Sequence, residues 1–280
     1  MVVRVVTDSG SDIPEDLVQE LGITVVPLTV SFGSTSYRDG VDISGDEFYT
    51  RLTLEETMPT TSQPSVGSFV EVYQPIKESG DEILSIHVSS KLSGTLNSAT
   101  QAAAQEELGP LIELVDSSQA SMGVGFSGIA AATAAKNGAS LSEARAIAES
   151  VLSRTRVLIL FETLKYLEKG GRIGKASALL GGILQLKPIL TLDDGEIATK
   201  SKIRTFKKGI ASLLELTKEY GNLQEAAVSY TTDSSDAEAL GHQIGSQLLD
   251  ASQLKVLRIS PAVGTHGGPG LVGIICVLAE

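Results

Sequence analysis

The chain has 280 residues, 42% hydrophobic and 20% charged, the composition of a folded globular protein long enough for two domains. Its net charge of −12 argues against nucleic acid as a partner and against non-specific binding to anionic membranes, both of which need a basic surface. One cysteine, Cys276, and three histidines, His87, His242 and His266, leave no disulfide pair and no ligand set for a Cys- or His-built metal site, so neither metal nor cofactor is expected.

Val2-Val3-Arg4-Val5-Val6 opens the chain without the charged, apolar and small-residue regions of a signal peptide. No uncharged apolar run reaches the ~20 residues of a membrane span, so a cytoplasmic location is expected. Met1 to Thr7 reads as a valine-rich strand that stops at Asp8-Ser9-Gly10-Ser11-Asp12. Pro14 opens a helix to about Leu21, and Ile23 to Phe32 reads as one β-branched strand. Gly40 marks a turn, and the capping box Ser44 to Glu47 starts a short helix to about Leu52. Ser65 caps the next helix, and Glu82 to Val88 is the third strand. An Ala-rich helix from Thr95 to about Leu108 and a strand from Leu111 to Val115 follow. Two helices come next, the second from the capping box Ser140 to Glu143, and then a strand over Arg156 to Phe161.

This βαβα order predicts an α/β fold: a mainly parallel N-terminal sheet with helices on both faces, then a second α/β domain with a mixed sheet. The boundary falls near Arg156, giving domains 1–155 and 156–280. In the second half a helix from Thr163 ends at Lys169-Gly170-Gly171. Ala176 to Leu192 is nearly all apolar, and Asp193-Asp194-Gly195 closes a hairpin. Helices near Thr205 to Tyr220 and Ser235 to Leu249, with strands near Ala226 to Tyr230, Val256 and Ile274, complete the chain. No internal repeat or low-complexity linker interrupts it.

Ligands in parallel sheets sit off the carboxyl ends of strands, so the polar segments there carry the chemistry. Four polar segments stand out: Thr7 to Asp12 after the first strand, Pro59-Thr60-Thr61-Ser62-Gln63-Pro64-Ser65, Ser89-Ser90-Lys91-Leu92-Ser93-Gly94-Thr95 after the third strand and, near the end, Gly264-Thr265-His266-Gly267-Gly268-Pro269-Gly270. Ser93-Gly94-Thr95 precedes a helix, where backbone N–H groups and the helix dipole favour an anion. Singly, each has a plainer explanation: Ser93 as a helix cap, Thr61 as a turn residue, Asp8 and Asp12 as a turn or helix entry, His266 as part of a flexible glycine loop.

In combination these segments resemble the DegV family. Thr7-Asp8-Ser9 with Asp12, Pro59 to Pro64, Ser89 to Thr95, Gly170-Gly171-Arg172-Ile173, Lys187-Pro188-Ile189-Leu190 and His266 to Gly270 occur in that family's order and span nearly the whole chain. Gly10 stands where a hydroxyl is more usual, and the second glycine, Gly268, is the main departure from the family's His-Thr-Gly-Pro-Gly or His-Gly-Gly-Pro-Gly; neither change removes a ligand group. The resemblance implies a cytoplasmic lipid-binding protein of phospholipid metabolism, itself not an enzyme. It would hold one long-chain fatty acid between two domains and present the carboxylate to a separate ATP-dependent fatty acid kinase, which forms an acyl phosphate. By position, Thr61 and Ser93 match the carboxylate-binding hydroxyls, His266 a further head-group partner, and Arg172 a glycine-flanked arginine near the mouth. Asp8, Ser9, Ser62, Gly94, Thr95 and Gly267 would support these loops, and a transient membrane contact is expected. Ala176 to Leu184 would offer apolar walls to the tail.

Two rivals differ in class. One is a lipid carrier or store that works without a kinase. The other is a serine hydrolase using Ser93 and His266, with Asp8 imagined as the orienting carboxylate. Ser93 lacks the Gly-x-Ser-x-Gly elbow, having Lys91, Leu92, Gly94 and Thr95 as neighbours. A nucleotide-binding protein is disfavoured because Gly-x-x-x-x-Gly-Lys-Ser/Thr is absent.

Overall fold

A computed structural model describes residues 2–105, 112–180 and 186–280. In chain order the elements of the first half are β1 (Val3–Asp8), α1 (Glu15–Leu21), β2 (Thr24–Val26), β3 (Thr29–Phe32), β4 (Thr35–Arg38), α2 (Gly45–Leu54), β5 (Thr60–Ser62), α3 (Val66–Glu78), β6 (Glu82–His87), α4 (Thr95–Ala103), β7 (Ile112–Asp116), α5 (Met122–Lys136) and α6 (Leu141–Arg154). Then follow β8 (Thr155–Phe161), α7 (Lys165–Lys169), β9 (Lys187–Asp193), β10 (Glu196–Ile203), α8 (Phe206–Lys218), β11 (Leu223–Tyr230), α9 (Ser235–Gln247), β12 (Leu254–Arg258), α10 (Pro261–Gly267) and β13 (Leu271–Leu278).

The chain divides into two compact units. One runs to Asp42 and resumes over Thr61–Ser153; the other comprises Ile43–Thr60 and Arg154–Glu280. A single cut near Arg156 does not foresee the excursion of 43–60 into the second unit.

The first unit is built on a parallel sheet of order β2-β1-β6-β7. The two-residue pleat sorts its side chains. Val3 and Val5 of β1, with Leu84 and Ile86 of β6, pack on Val124 and Ala131 of α5 and Ala144 of α6. Val6 and Ile83 face the other way, onto Phe69 and Tyr73 of α3 and Ala99 of α4. The expected strand Ile23 to Phe32 is two strands, broken at Pro27-Leu28, because proline lacks the N–H a central strand needs. The first piece joins the parallel sheet, and the second forms a separate three-stranded sheet of order β4-β3-β5. The Ala-rich helix ends at Ala103 rather than near Leu108, and residues 106–111 lie outside the described set, as does the start of the strand expected from Leu111.

The second unit holds a mixed sheet of order β10-β9-β8-β13-β11-β12, in which only β11 and β12 pair in parallel. Leu158, Ile189, Val228 and Ile274 of this sheet pack on Leu213 of α8 and Leu240 of α9. The hairpin between β9 and β10 turns at Asp194 and Gly195, both with positive φ (50° and 75°), the backbone that Asp-Gly favours. The glycine-rich loop expected around His266 is instead helical: Ser260 precedes Pro261, which opens α10 and fits a first helical turn. No described helix is long and apolar enough to cross a membrane.

Candidate functional site

The carboxyl edge of the parallel sheet gathers the turns that follow β1, β6 and β7. Asp8 ends β1 on the face of Val6, and Ser85 and His87 share that face on β6. Asp8, His87, Ser85 and Tyr73 are fully buried. Asp8 Oδ1 accepts from the Gly10 N–H at 3.0 Å and Oδ2 from the Val88 N–H at 3.2 Å. Oδ2 also lies 2.9 Å from His87 Nδ1, so that nitrogen donates to it and Nε2 takes the hydroxyl of Ser85 at 2.7 Å. Ser85 in turn lies 2.7 Å from the Tyr73 hydroxyl, whose pKa burial pushes up. This chain ties the turn after β1 to the turn after β6. It also commits Asp8, imagined above as a hydrolase's orienting carboxylate, to His87. The Asp-His-Ser sequence that results is sealed from solvent.

Ser9 Oγ accepts from the Leu28 N–H at 3.0 Å, anchoring the same turn. After β6, the Ser93 N–H donates to Ser89 O at 3.0 Å and closes a tight turn. Ser93 is half-buried, with Oγ 2.8 Å from Thr95 Oγ1 and accepting from the Thr95 N–H at 3.3 Å. Its hydroxyl turns back on Thr95, the first residue of α4, but the cap position itself is Gly94 and carries no side-chain cap, so Ser93 is not the helix cap of its plainer explanation. Thr95 is buried, Ser62 exposed and Thr61 half-buried on β5. The Thr61 and Ser93 segments meet: the Gln63 amide lies against Gly94, and its Nε2 donates to Ser98 Oγ at 3.4 Å.

In the second unit, α7 and α10 nest through two glycines. A Cβ at Gly170, just past α7, would sit 2.2 Å from His266 Nδ1. Reciprocally, a Cβ at Gly268, just past α10, would sit 2.3 Å from the Tyr166 ring, and Gly268 has φ +73°. Arg172 is half-buried, and its Nη1 donates to Gly170 O at 2.6 Å. Burial, and secondarily the positive charge of Arg172, push the His266 pKa down to about 4, so the imidazole is neutral at pH 7 beside a cation. Gly267 is buried against Leu271. The excursion 43–60 braces the same helix: a Cβ at Gly264 would sit 2.1 Å from the Tyr49 hydroxyl, which donates to Ile259 O at 3.0 Å.

Two groupings result: hydroxyls at a helix start, with Thr61, Ser93, Gly94 and Thr95 in adjoining segments, and a neutral imidazole with a guanidinium, from His266 and Arg172. Among the described residues no group of three or more His, Cys, Asp or Glu is placed to hold a metal ion. Of the wall expected over Ala176 to Leu184, Ala176 is buried, Ser177 and Ala178 are exposed, and residues 181–185 lie outside the described set. A separate cleft of about 490 Å³ lies at the amino end of β1, where Val3, Val5 and Ala135 line it together with Arg4, Glu20 and Lys136.

Sequence reasoning missed the turn after β7. Ser90 Oγ donates to Asp116 Oδ2, and Ser121 Oγ to Asp12 Oδ2, both at 2.5 Å. Asp12, Ser118 and Ser121 all have positive φ, between 52° and 54°, a strained backbone that concentrates at functional sites. The signal was available: Val115-Asp116-Ser117 repeats the strand-Asp-Ser pattern of Thr7-Asp8-Ser9. His87, Tyr49 and Tyr166 were also overlooked, and Gln63 was quoted within its motif but given no role.

A family model described as "Uncharacterised protein, DegV family" matches residues 2–279. A DegV domain-containing protein of Caldanaerobacter subterraneus subsp. tengcongensis is 38% identical over 278 residues, covering 97% of this chain and 97% of the relative. Among solved structures, a DegV family protein from Thermus thermophilus, described by its fatty acid binding, is 35% identical with a TM-score of 0.93, covering 100% of both chains. DegV from Bacillus subtilis, described as a fatty acid binding protein, is 31% identical with a TM-score of 0.87, covering 99% of each chain.

Proposed function

The chain belongs to the DegV family, and on that premise we propose that it binds one long-chain fatty acid and presents its carboxylate to a separate ATP-dependent kinase for acyl phosphate formation. Thr61 and Ser93 donate to the carboxylate; His266 is a further head-group partner, with Arg172 beside it. The observation that carries this reading is the joining of the Thr61 and Ser93 segments at the start of α4, where a helix dipole and neutral hydroxyls favour an anion. Neutral donors hold a carboxylate without neutralising it, which leaves an oxygen able to attack a phosphoryl group.

The energetics divide the work. A buried methylene contributes about 0.8 kcal/mol, so ~15 of them yield on the order of 10 kcal/mol before ordering costs. Each charge-assisted hydrogen bond contributes about 1.5–3 kcal/mol. The tail sets affinity and the hydroxyls set orientation. Mass spectrometry of lipid extracted from the purified protein is expected to find about one fatty acid per chain, retained through a slow off-rate. Ser93→Ala and Thr61→Ala should each weaken binding by about 1–3 kcal/mol. Acyl phosphate should form only when ATP, Mg²⁺, fatty acid, this protein and a kinase are combined. A chain with no extractable lipid and no measurable fatty-acid binding would sink the proposal. Formation of acyl phosphate from ATP by this chain alone would overturn the division of labour, and no acyl phosphate with any kinase would leave a carrier or store.

A transient membrane contact has its own support in an otherwise acidic chain. Lys200, Lys202, Arg204, Lys207 and Lys208 are five exposed cations within nine residues, on edge strand β10 and the start of α8. Lys207 and Lys208 lie in a first helical turn that holds no acidic residue, where the dipole disfavours cations. Lysines on an edge strand also guard against strand pairing. The two roles separate by cosedimentation: binding to phosphatidylglycerol but not phosphatidylcholine vesicles, lost on raising salt, is expected. Equal binding to both lipids, or none, would leave only edge protection.

A further inference from the structure

Gly94 has φ −78° and ψ 7°, a backbone any residue adopts, so its conformation does not call for glycine. What excludes a side chain there is Gln63. A Cβ at position 94 would lie 2.3 Å from Gln63 Oε1 and 2.6 Å from both Cδ and Nε2. The amide thus lies flat on the helix start and reaches one turn onward, where Nε2 donates to Ser98 Oγ at 3.4 Å. The chain on either side of Gln63 is fixed. Before it runs β5; after it comes Pro64, buried, which restricts residue 63 to extended backbone. Ser65 then caps α3 through Oγ, accepting from the Ser68 N–H at 3.0 Å.

In extended chain, side chains two residues apart share a face. Gln63 faces the start of α4, so Thr61, two residues earlier, belongs to the same face, about 6.6 Å back along the strand. Ser93 flanks Gly94 on the other side of the contact. We propose that Gln63 is a positioning residue for the head-group site: its amide, seated on Gly94, sets the register between the Thr61 strand and the Ser93 turn so that both hydroxyls act on one carboxylate. This deepens the reading of Thr61 and Ser93 as carboxylate donors and rests on it.

The register acts on the carboxylate and not on the tail, so the test compares oleic acid with methyl oleate, which keeps the tail and loses the charge. The quantity is the ratio of their affinities for the delipidated protein. Gln63 is exposed, so Gln63→Ala should fold, and it is expected to lower the acid-to-ester ratio about tenfold while leaving methyl oleate affinity unchanged. Gly94→Ala should do the same by displacing the amide. In a Gln63→Ala background, Gly94→Ala should add less than about twofold, since the space it fills is already vacant. Were the ratio unchanged in Gln63→Ala but lowered in Thr61→Ala and Ser93→Ala, the positioning role would be overturned while the donors stand. An equal Gly94→Ala effect with and without Gln63 would also overturn it. A ratio unmoved by Thr61→Ala and Ser93→Ala would instead remove the underlying reading.

Discussion

Asp8→Ala is expected to destabilise the first unit by about 3–5 kcal/mol, among the largest effects a single substitution can have here. The carboxylate accepts from three donors, the N–H groups of Gly10 and Val88 and Nδ1 of His87, with Asp8 and His87 fully buried. Truncation leaves those donors with no water to replace it, and each orphaned buried donor costs about 1–3 kcal/mol. Asp8→Asn should cost less. Its carbonyl oxygen keeps one acceptor, but its NH₂ faces a backbone N–H in either orientation, that of Gly10 or that of Val88, and a tautomer change at His87 relieves only the imidazole contact of the second. Urea unfolding measures the loss, and hydrogen exchange at Gly10 and Val88 locates it. Faster exchange at both amides with reduced stability is expected; a loss under about 1 kcal/mol would show that the turns are held by something else.

The network could not be read from the sequence, for a physical reason. His87 lies 79 residues from Asp8, and only the parallel pairing of β1 with β6 and the shared pleat bring them to one face. The parallel sheet itself was legible, since alternating valine-rich strands and amphipathic helices have one economical arrangement. Local punctuation was legible where it acts locally: the Ser44 and Ser140 caps and the Asp194-Gly195 hairpin are short-range hydrogen bonding and backbone preference. Pro27 was on view inside the run from Ile23 to Phe32 and should have split it.

The excursion of 43–60 was not legible. Phe48 and Tyr49 fall in the short helix expected after Ser44, and nothing local says which core they enter. Their partner is Gly264, more than 200 residues on, where the missing side chain makes room for Tyr49. The same holds for Gly94, Gly170 and Gly268. In sequence Gly94 reads as part of a helix start, Gly170 as a helix end and Gly268 as part of a flexible loop, yet Gly94 and Gly170 have backbone angles open to any residue and serve as seats for Gln63 and His266. What each glycine admits is a fact of packing, which no local string of residues spells out.

His266 offers the second large effect, in pH dependence. Burial and the Arg172 charge lower its pKa from 6.5 to about 4, while in the unfolded chain it titrates near 6.5. Between those values the unfolded state binds a proton that the folded state does not. Stability from this group is therefore complete above about pH 6.5 and falls as pH drops, by up to about 1.4 kcal/mol per unit. It levels off below about pH 4 after a loss of about 3 kcal/mol. In His266→Gln that slope should disappear from the window. A bound carboxylate accepting from the imidazole favours its protonated form, so loading the protein with oleic acid should move the titration upward from 4. The imidazole Cε1–H resonance, assigned by its absence in His266→Gln, reads both shifts. Titration near 6.5 in the delipidated protein would remove the buried neutral imidazole. A pKa unmoved by oleic acid would place the carboxylate away from His266, leaving the histidine to pack α10 on Gly170.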